Sequence, residues 1–282
     1  MSDSALDSYV SSWREADPQR AVAELFLRRG ERTRYGACAA LLQEWRRTLH
    51  DVREPQVAVA KLGWWHEELQ RAAEGGARHP LAQVLFAGAR VREVPLSCWT
   101  AVLDAAIGQL AAPPPADFLA QQRAAEPWSA AVAELEARLW FGPSAGVVRA
   151  NAVTSIAYLV ADVRCTATEA AHGRSPLPMN LMARHELTVE GLAGDSPARR
   201  AALRDYAVLL RDALTEAAAI PGPLTLFRAV DMQRDLRSLE RAVRAEDPLS
   251  ALCAQRTGVG NLLKIWRVAR MWRGTAKTEA AS

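Results

Sequence analysis

The period of the α-helix runs through almost the whole chain, and this feature constrains the fold more than any other. Apolar residues recur at spacings of three, four and seven, as at Tyr35, Leu42, Trp45 and Leu49, which places them on one face of a helix. Alternation with a period of two, typical of half-buried strands, is nearly absent. The sequence therefore predicts an all-α protein, a bundle of roughly ten to twelve helices without a repeat of fixed length.

Prolines and glycines predict where these helices begin and end. Asp17-Pro18 is typical of an N-cap followed by proline at the first helical position, and Glu54-Pro55 opens another helix. Because no linker interrupts the pattern, we predict a single domain over residues 1–273 and a disordered tail over residues 274–282. Other predicted helices cover approximately residues 31–52, 80–90, 95–110, 115–140, 145–171, 196–219 and 261–273, and one that follows Pro223 ends near Arg244.

Composition excludes several classes of protein. The 282 residues include 35 Lys and Arg against 32 Asp and Glu, and this net charge of +3 is too small to indicate a nucleic-acid partner. The four cysteines lie far apart in sequence, so neither a zinc site nor a disulfide framework is expected. The N-terminus resembles no signal peptide, and no apolar run approaches the roughly 18 residues of a membrane span. We therefore expect a cytoplasmic protein.

The last predicted helix combines basic and aromatic residues. Lys264, Arg267 and Arg270 lie beside Trp266 and Trp272. Docking of an amphipathic helix against the bundle is the simpler interpretation. An interfacial helix on an anionic membrane is the alternative, so peripheral contact with a membrane remains open.

Two short segments are more specific than the helical pattern. Residues 61–69 read KLGWWHEEL, soon after Glu54-Pro55, and residues 173–178 read GRSPLP. In this order and at this separation, they resemble the squalene/phytoene synthase family of head-to-head prenyl transferases. In that family a tryptophan-rich helix follows the first catalytic helix, and a GRxxLP turn follows the second.

The resemblance implies the isoprenoid synthase fold, in which a single large helical bundle surrounds a central cavity. Two aspartate-rich motifs of the family face each other there and bind Mg²⁺, which neutralises the leaving diphosphate of a prenyl diphosphate. Lys61, Trp65 and Arg174 are the candidate substrate-binding residues. The two cations would attract a diphosphate, the resemblance places Arg174 near the site entrance, and Trp65 would belong to an aromatic wall of the pocket. Core packing of Trp65 is the simpler alternative, and a structural role of Arg174 that ties the turn to a helix terminus is equally open.

The aspartate motifs themselves are mostly missing. Near the first, Glu44 is the one carboxylate at the expected place, and Thr48 stands four residues on. Near the second, Asp162 matches the first aspartate, Thr166 replaces the second, and Glu169 is a substitute two helical turns from Asp162. Glu44, Asp162 and Glu169 are therefore the candidate catalytic residues, with Glu44 and Asp162 as candidate metal ligands.

One further carboxylate pair has the DxxxD spacing. Asp231 and Asp235 lie far beyond the second motif, in an arginine-rich segment. We interpret them as a solvated pattern of opposite charges on a helix surface.

Three functions follow from this pattern. We favour a member that is degenerate at the metal site and acts as an isoprenoid-binding or assembly module, similar to the aspartate-poor branch that includes the complex I assembly factor of phytoene-synthase type. Its ligand would be a prenyl diphosphate or an isoprenoid lipid. The alternatives are an active prenyl transferase that condenses two prenyl diphosphates at an atypical Mg²⁺ site, and a helical scaffold that binds a partner helix.

Overall fold

The described residues, 2–254 and 258–279, fold into fifteen α-helices in this computed structural model. A short 3₁₀ turn covers Glu190–Leu192. The all-α prediction is therefore confirmed. In chain order, the helices are α1 (Ser2–Ala16), α2 (Pro18–Glu24), α3 (Arg29–Asp51), α4 (Pro55–Ala73), α5 (Pro80–Ala87), α6 (Ala89–Arg92), α7 (Leu96–Leu110), α8 (Phe118–Trp140), α9 (Val148–Arg164), α10 (Thr166–Ala171), α11 (Met179–Arg184), α12 (Pro197–Ala219), α13 (Leu226–Arg244), α14 (Pro248–Cys253) and α15 (Val259–Glu279).

Side-chain caps fix the starts of several helices. The Asp17 carboxylate accepts a hydrogen bond from the Arg20 backbone N–H at 3.1 Å, and Pro18 occupies the first position of α2, as the sequence predicts. Asp117 caps α8 and Ser196 caps α12 in the same way. Each such bond satisfies one backbone donor that the first helical turn leaves unpaired.

Several elements differ from the sequence-based prediction of ten to twelve helices. The predicted helix over residues 80–90 divides at Gly88 into α5 and α6, and α11 and α14 were not predicted. The predicted helix over residues 145–171 is broken at Cys165, whose backbone leaves the helical conformation with φ −90° and ψ 14° and separates α9 from α10. Helix α1 was not among the predicted helices. Helix α15 extends to Glu279, past the predicted end at Arg273, and residues 280–282 lie outside the described part of the chain. The single-domain boundaries stay a prediction.

Two groups of buried apolar residues form the core. The first contains Trp13, Trp45, Trp65 and Trp99 from α1, α3, α4 and α7. The second is built mainly from α9, α12 and the later part of α13, around Tyr206. Helices α8 and α13 contribute to both groups, so they join the two halves of the core. This arrangement holds α3, α8, α9 and α13 rigidly around the space between them.

None of the helices in the described ranges is both long and apolar enough to cross a membrane.

One acidic side chain of the KLGWWHEEL helix is fully buried. Glu68 accepts hydrogen bonds at 2.6 Å from the backbone N–H groups of Arg78 and His79, just before α5, and a third from Arg71 at 3.1 Å. Its side chain has 0% exposure, while that of the neighbouring Glu67 is 68% exposed. Glu68 therefore fixes the connection between α4 and α5.

We predict that Glu68→Ala lowers the free energy of unfolding by about 3 kcal/mol, because the backbone donors of Arg78 and His79 lose a charged acceptor inside the protein. Urea unfolding followed by circular dichroism measures the change. The matched control, Glu67→Ala, removes an exposed carboxylate and should change stability by less than about 0.5 kcal/mol. Equal effects of the two substitutions would contradict this role of Glu68.

Candidate functional site

A cavity of about 1030 Å³ lies between the helices that join the two halves of the core. Its apolar wall consists of residues from α3, α8 and α9, with Trp128, Val132 and Tyr158 among them. Exposed lining residues show where the cavity opens: Cys253 and Leu262 lie near α14 and the start of α15, and Ala16, Arg47 and Asp51 lie on α1 and α3. A cavity of this size accommodates a ligand larger than a simple metabolite.

The polar wall of this cavity is strongly basic. Among the described residues that line it, nine are Lys or Arg and three are Asp. The basic residues come from α2, α3, α9, α13 and α15, and they are Arg20, Arg46, Arg47, Arg164, Arg228, Arg234, Arg237, Arg241 and Lys264. An excess of cations in a partly enclosed space attracts anionic groups.

Helix α3, which precedes the KLGWWHEEL helix, presents a basic face to the cavity. Gln43, Arg46, Arg47 and His50 line the cavity at helical spacing, and Asp51 is the carboxylate of α3 among the described lining residues. Glu44 is not among the lining residues. Its carboxylate accepts a hydrogen bond from Lys61 Nζ at 2.7 Å, which ties α3 to α4. Two of the residues that the sequence singled out thus pair with each other away from the cavity lining.

Beside the cavity, His50 connects two further carboxylates from the candidate set. Its Nδ1 lies 2.9 Å from Glu169 Oε1, and its Nε2 lies 3.4 Å from Asp162 Oδ1. Asp162 also accepts a hydrogen bond from Arg46 Nη2 at 2.8 Å. The structure therefore brings Asp162 and Glu169 together, through basic partners that the sequence analysis did not identify.

The GRSPLP turn closes the same cluster. Gly173 has φ +71°, a left-handed conformation that favours glycine. The next residue, Arg174, donates from Nε to Glu169 at 2.8 Å and from Nη2 to the His50 carbonyl at 2.9 Å. Arg174 thus ties the turn to the C-terminal end of α3.

The two clustered carboxylates differ in their protonation behaviour. Burial raises the pKa of Asp162 above its usual value, although His50 and Arg46 oppose this effect. Burial acts in the same direction on Glu169, but hydrogen bonds from His50 and Arg174 lower its pKa to about 2. Because the ionised Glu169 only accepts hydrogen bonds, His50 Nδ1 carries the proton that it donates to this carboxylate.

The interpretation of Asp231 and Asp235 as a solvated pair is wrong. Their exposures are 1% and 0%. Asp231 lies in ion pairs with Arg20 and Arg234, and Asp235 accepts hydrogen bonds from Arg164 at 2.8 Å and Arg234 at 3.0 Å. The face of α13 that carries both aspartates packs against α2 and α9, which supply Arg20 and Arg164, so the pair is buried rather than solvated.

One arginine of the cavity wall faces like charges. Arg237 lies one turn from Arg234 and Arg241 on α13, and all three line the cavity. Burial, followed by repulsion from Arg241, lowers the pKa of Arg237. A guanidinium in this position is stabilised by an anion, because an anion offsets the repulsion among neighbouring cations.

Trp65 lies in the core, whereas Thr154 lines the cavity. Trp65 is 2% exposed, packs edge-on against Trp45 with ring centroids 6.0 Å apart, and is not among the described lining residues. Thr154 on α9 lines the cavity with 2% exposure, and its buried hydroxyl has no hydrogen-bond partner among the described residues.

Magnesium, which the family resemblance implies, does not fit these side chains. Mg²⁺ requires several oxygen ligands in octahedral geometry. Asp162 is paired with Arg46, both oxygens of Glu169 accept hydrogen bonds from His50 or Arg174, and Glu44 is paired elsewhere. Within the described ranges, no three His, Cys, Asp or Glu side chains converge in a group that could hold a metal ion.

The basic partners leave a weak signal in the sequence. Residues 43, 46, 47 and 50 recur at three and four positions along one helix, as do 234, 237 and 241 along another. This spacing identifies a shared face. It does not reveal that the face points into a cavity rather than into solvent, and for that reason these residues were missed.

Two solved structures of known proteins have the same fold as this chain. A dehydrosqualene synthase solved in complex with ligand is 14% identical, with a TM-score of 0.69 and coverage of 97% of this chain and 98% of that chain. Squalene synthase HpnC from Alicyclobacillus acidocaldarius is 15% identical, with a TM-score of 0.55 and coverage of 96% and 95%. The chain matches no curated protein sequence. These likenesses establish the isoprenoid synthase fold.

The sequence pattern of one family covers most of the chain. The model of the family described as squalene/phytoene synthase matches residues 13–246, which include both the KLGWWHEEL and the GRSPLP segments. This match confirms the resemblance, while a place in the aspartate-poor branch stays a prediction. The chain therefore belongs to the squalene/phytoene synthase family.

Proposed function

We propose that this protein is a member of the family that binds an isoprenoid with an anionic head group and does not ionise it. The observation that carries the proposal is the charge of the cavity wall. Basic side chains outnumber carboxylates there by nine to three among the described lining residues. The candidate carboxylates Asp162 and Glu169 are held by Arg46, His50 and Arg174.

Ionisation of an allylic diphosphate requires strong stabilisation of the leaving group, which divalent cations supply in a magnesium-dependent enzyme. Such cations require free carboxylates. Freeing Glu169 means breaking its bonds to His50 and Arg174 and leaving a charge without its partners in a mostly buried place. That cost opposes metal binding.

Binding of an anionic amphiphile makes different demands, and the cavity meets them. Arginine matches phosphate geometry through paired N–H donors, and Arg237 lines the cavity with no salt bridge among the described residues, although Glu240 and Asp235 attract it from farther away. Trp128, Val132 and Tyr158 offer an apolar wall to a hydrocarbon chain. A prenyl diphosphate or an isoprenoid lipid phosphate combines both properties.

Two alternatives remain from the sequence analysis. An active head-to-head prenyl transferase is favoured by family membership and by the fold shared with a dehydrosqualene synthase. It would require that substrate binding release Asp162 and Glu169 from their partners. A role in protein assembly or as a helical scaffold stays a prediction.

We predict that farnesyl diphosphate binds in the presence of EDTA, and that added Mg²⁺ strengthens binding by less than about threefold, because arginines rather than a metal hold the diphosphate. Isothermal titration calorimetry measures both affinities. A parallel assay with Mg²⁺ should detect no diphosphate release. Turnover, or binding that appears only with Mg²⁺, would favour the active transferase.

Arg237→Gln should weaken farnesyl diphosphate binding about tenfold or more, because a charge-assisted hydrogen bond to the anion is lost. The same titration measures the effect. Arg244→Gln is the matched control, since Arg244 is exposed, lies on the same helix and is not a lining residue. Equal affinities of the two variants would remove Arg237 from the binding site.

Glu169→Gln should destabilise the fold by about 2 kcal/mol at neutral pH, because the charge that His50 and Arg174 share is removed. The folded pKa of about 2 lies below the ordinary value of 4.5, so the stabilisation is complete above that value and is lost as the pH falls toward 2. The difference between wild type and variant should therefore shrink below about pH 4.5.

Urea unfolding at several pH values measures this difference. Glu216→Gln, at an exposed position of α12, is the control and should have no effect at any pH. A Glu169→Gln variant that is more stable than wild type would indicate a strained carboxylate kept for catalysis instead.

A further inference from the structure

Helix α15 has one face in the core and one face in solvent. Ile265, Val268 and Ala269 are buried against the bundle, as the docking interpretation of the sequence predicts. The opposite face carries large apolar side chains that the bundle does not cover. Their exposures are 54% for Leu263, 42% for Trp266 and 65% for Met271, and Leu262 at the edge of the face is 47% exposed.

The same outward face is basic and contains no acidic residue. Lys264, Arg267 and Arg270 are exposed and alternate with the apolar residues. In the sequence, no Asp or Glu occurs between Asp247 and Glu279. The Arg270 guanidinium lies over the Trp266 ring at 5.5 Å from its centroid. We call residues 262, 263, 264, 266, 267, 270 and 271 the α15 face.

The α15 face lies next to the opening of the cavity. Leu262 and Lys264 belong to the face and also line the cavity. The chain after α2 extends the exposed apolar region, because Leu25 is 61% exposed and its neighbour Phe26 borders a shallow groove with Trp266 and Ala269. Exposed apolar and basic side chains thus lie along the α15 side of the cavity opening.

We propose that the α15 face docks on an anionic phospholipid membrane, with the cavity opening toward the lipid. Leucine, tryptophan and methionine bury their apolar parts at the boundary between head groups and acyl chains, while lysine and arginine bind lipid phosphates. Transfer of an isoprenoid from the membrane into the docked cavity would follow only if the proposed function is correct. Docking on the membrane does not depend on the proposed function.

Charge favours lipid over a second copy of this chain as the occupant. In a two-fold symmetric dimer, the same patch of each copy meets its mate, so Lys264, Arg267 and Arg270 would face identical cations. A bilayer with anionic head groups has the complementary charge along the whole face. An acidic protein partner would also be complementary to this face. The vesicles in the test contain no such partner, so a failure to prefer anionic vesicles would favour a protein over a lipid.

The experiment is vesicle flotation with the full chain and no isoprenoid, comparing phosphatidylcholine vesicles with vesicles that also contain phosphatidylglycerol. Wild type should bind the anionic vesicles at least about tenfold more tightly, and added salt should weaken this binding. Arg267→Gln combined with Met271→Gln should reduce the partition coefficient about fivefold through the lost cation and further through the lost apolar side chain.

The matched control combines Arg184→Gln with Met179→Gln, which removes one arginine and one exposed methionine from α11. This variant should bind like wild type. Equal losses in both variants, no preference for anionic vesicles, or no binding by wild type would overturn the proposal. Because no isoprenoid is present, these results are independent of whether farnesyl diphosphate binds in the titrations above.

Discussion

The pairing of carboxylates with arginine and histidine beside the central cavity is the interaction on which the account of this protein depends. Asp162 with Arg46, and Glu169 with His50 and Arg174, join α3, α9, α10 and the GRSPLP turn into one cluster. Buried charges are tolerated only when they are paired, and removing one partner is costly. The same contacts that hold these elements together therefore occupy Asp162 Oδ1 and both oxygens of Glu169, which a metal would need.

A basic wall and an apolar wall in one cavity favour binding of an anionic amphiphile over its ionisation. Catalysis by this fold depends on charge that stabilises a departing diphosphate, whereas binding needs only charge that attracts it. Arg234, Arg237 and Arg241 on α13 provide the attraction, and ion pairs with Asp231 and Asp235 hold Arg234 in place. The exposed α15 face lies at the opening, where we propose that it meets a lipid surface.

Much of the fold was predictable because helical periodicity and proline positions are local properties. The sequence correctly predicted the Asp17 cap, the helix over residues 197–219 and the family segments. The contacts of the site were less predictable from the sequence than the fold. Asp162 and Glu169 were identified as neighbours on a helix, but their partner His50 is more than a hundred positions away. Asp231 and Asp235 were taken for surface charges, because burial depends on what α2 and α9 bring against them. Tertiary contacts of this kind have no local signal.

The most direct test of the account is a crystal structure with a non-ionisable farnesyl diphosphate analogue and Mn²⁺, which anomalous scattering locates independently of the protein. We expect a diphosphate against the arginines of α13 and α3, with Asp162 still bound to Arg46 and Glu169 to Arg174, and no Mn²⁺ beside them. An anomalous peak that bridges the diphosphate to Asp162 or Glu169 would contradict it and identify a working metal site.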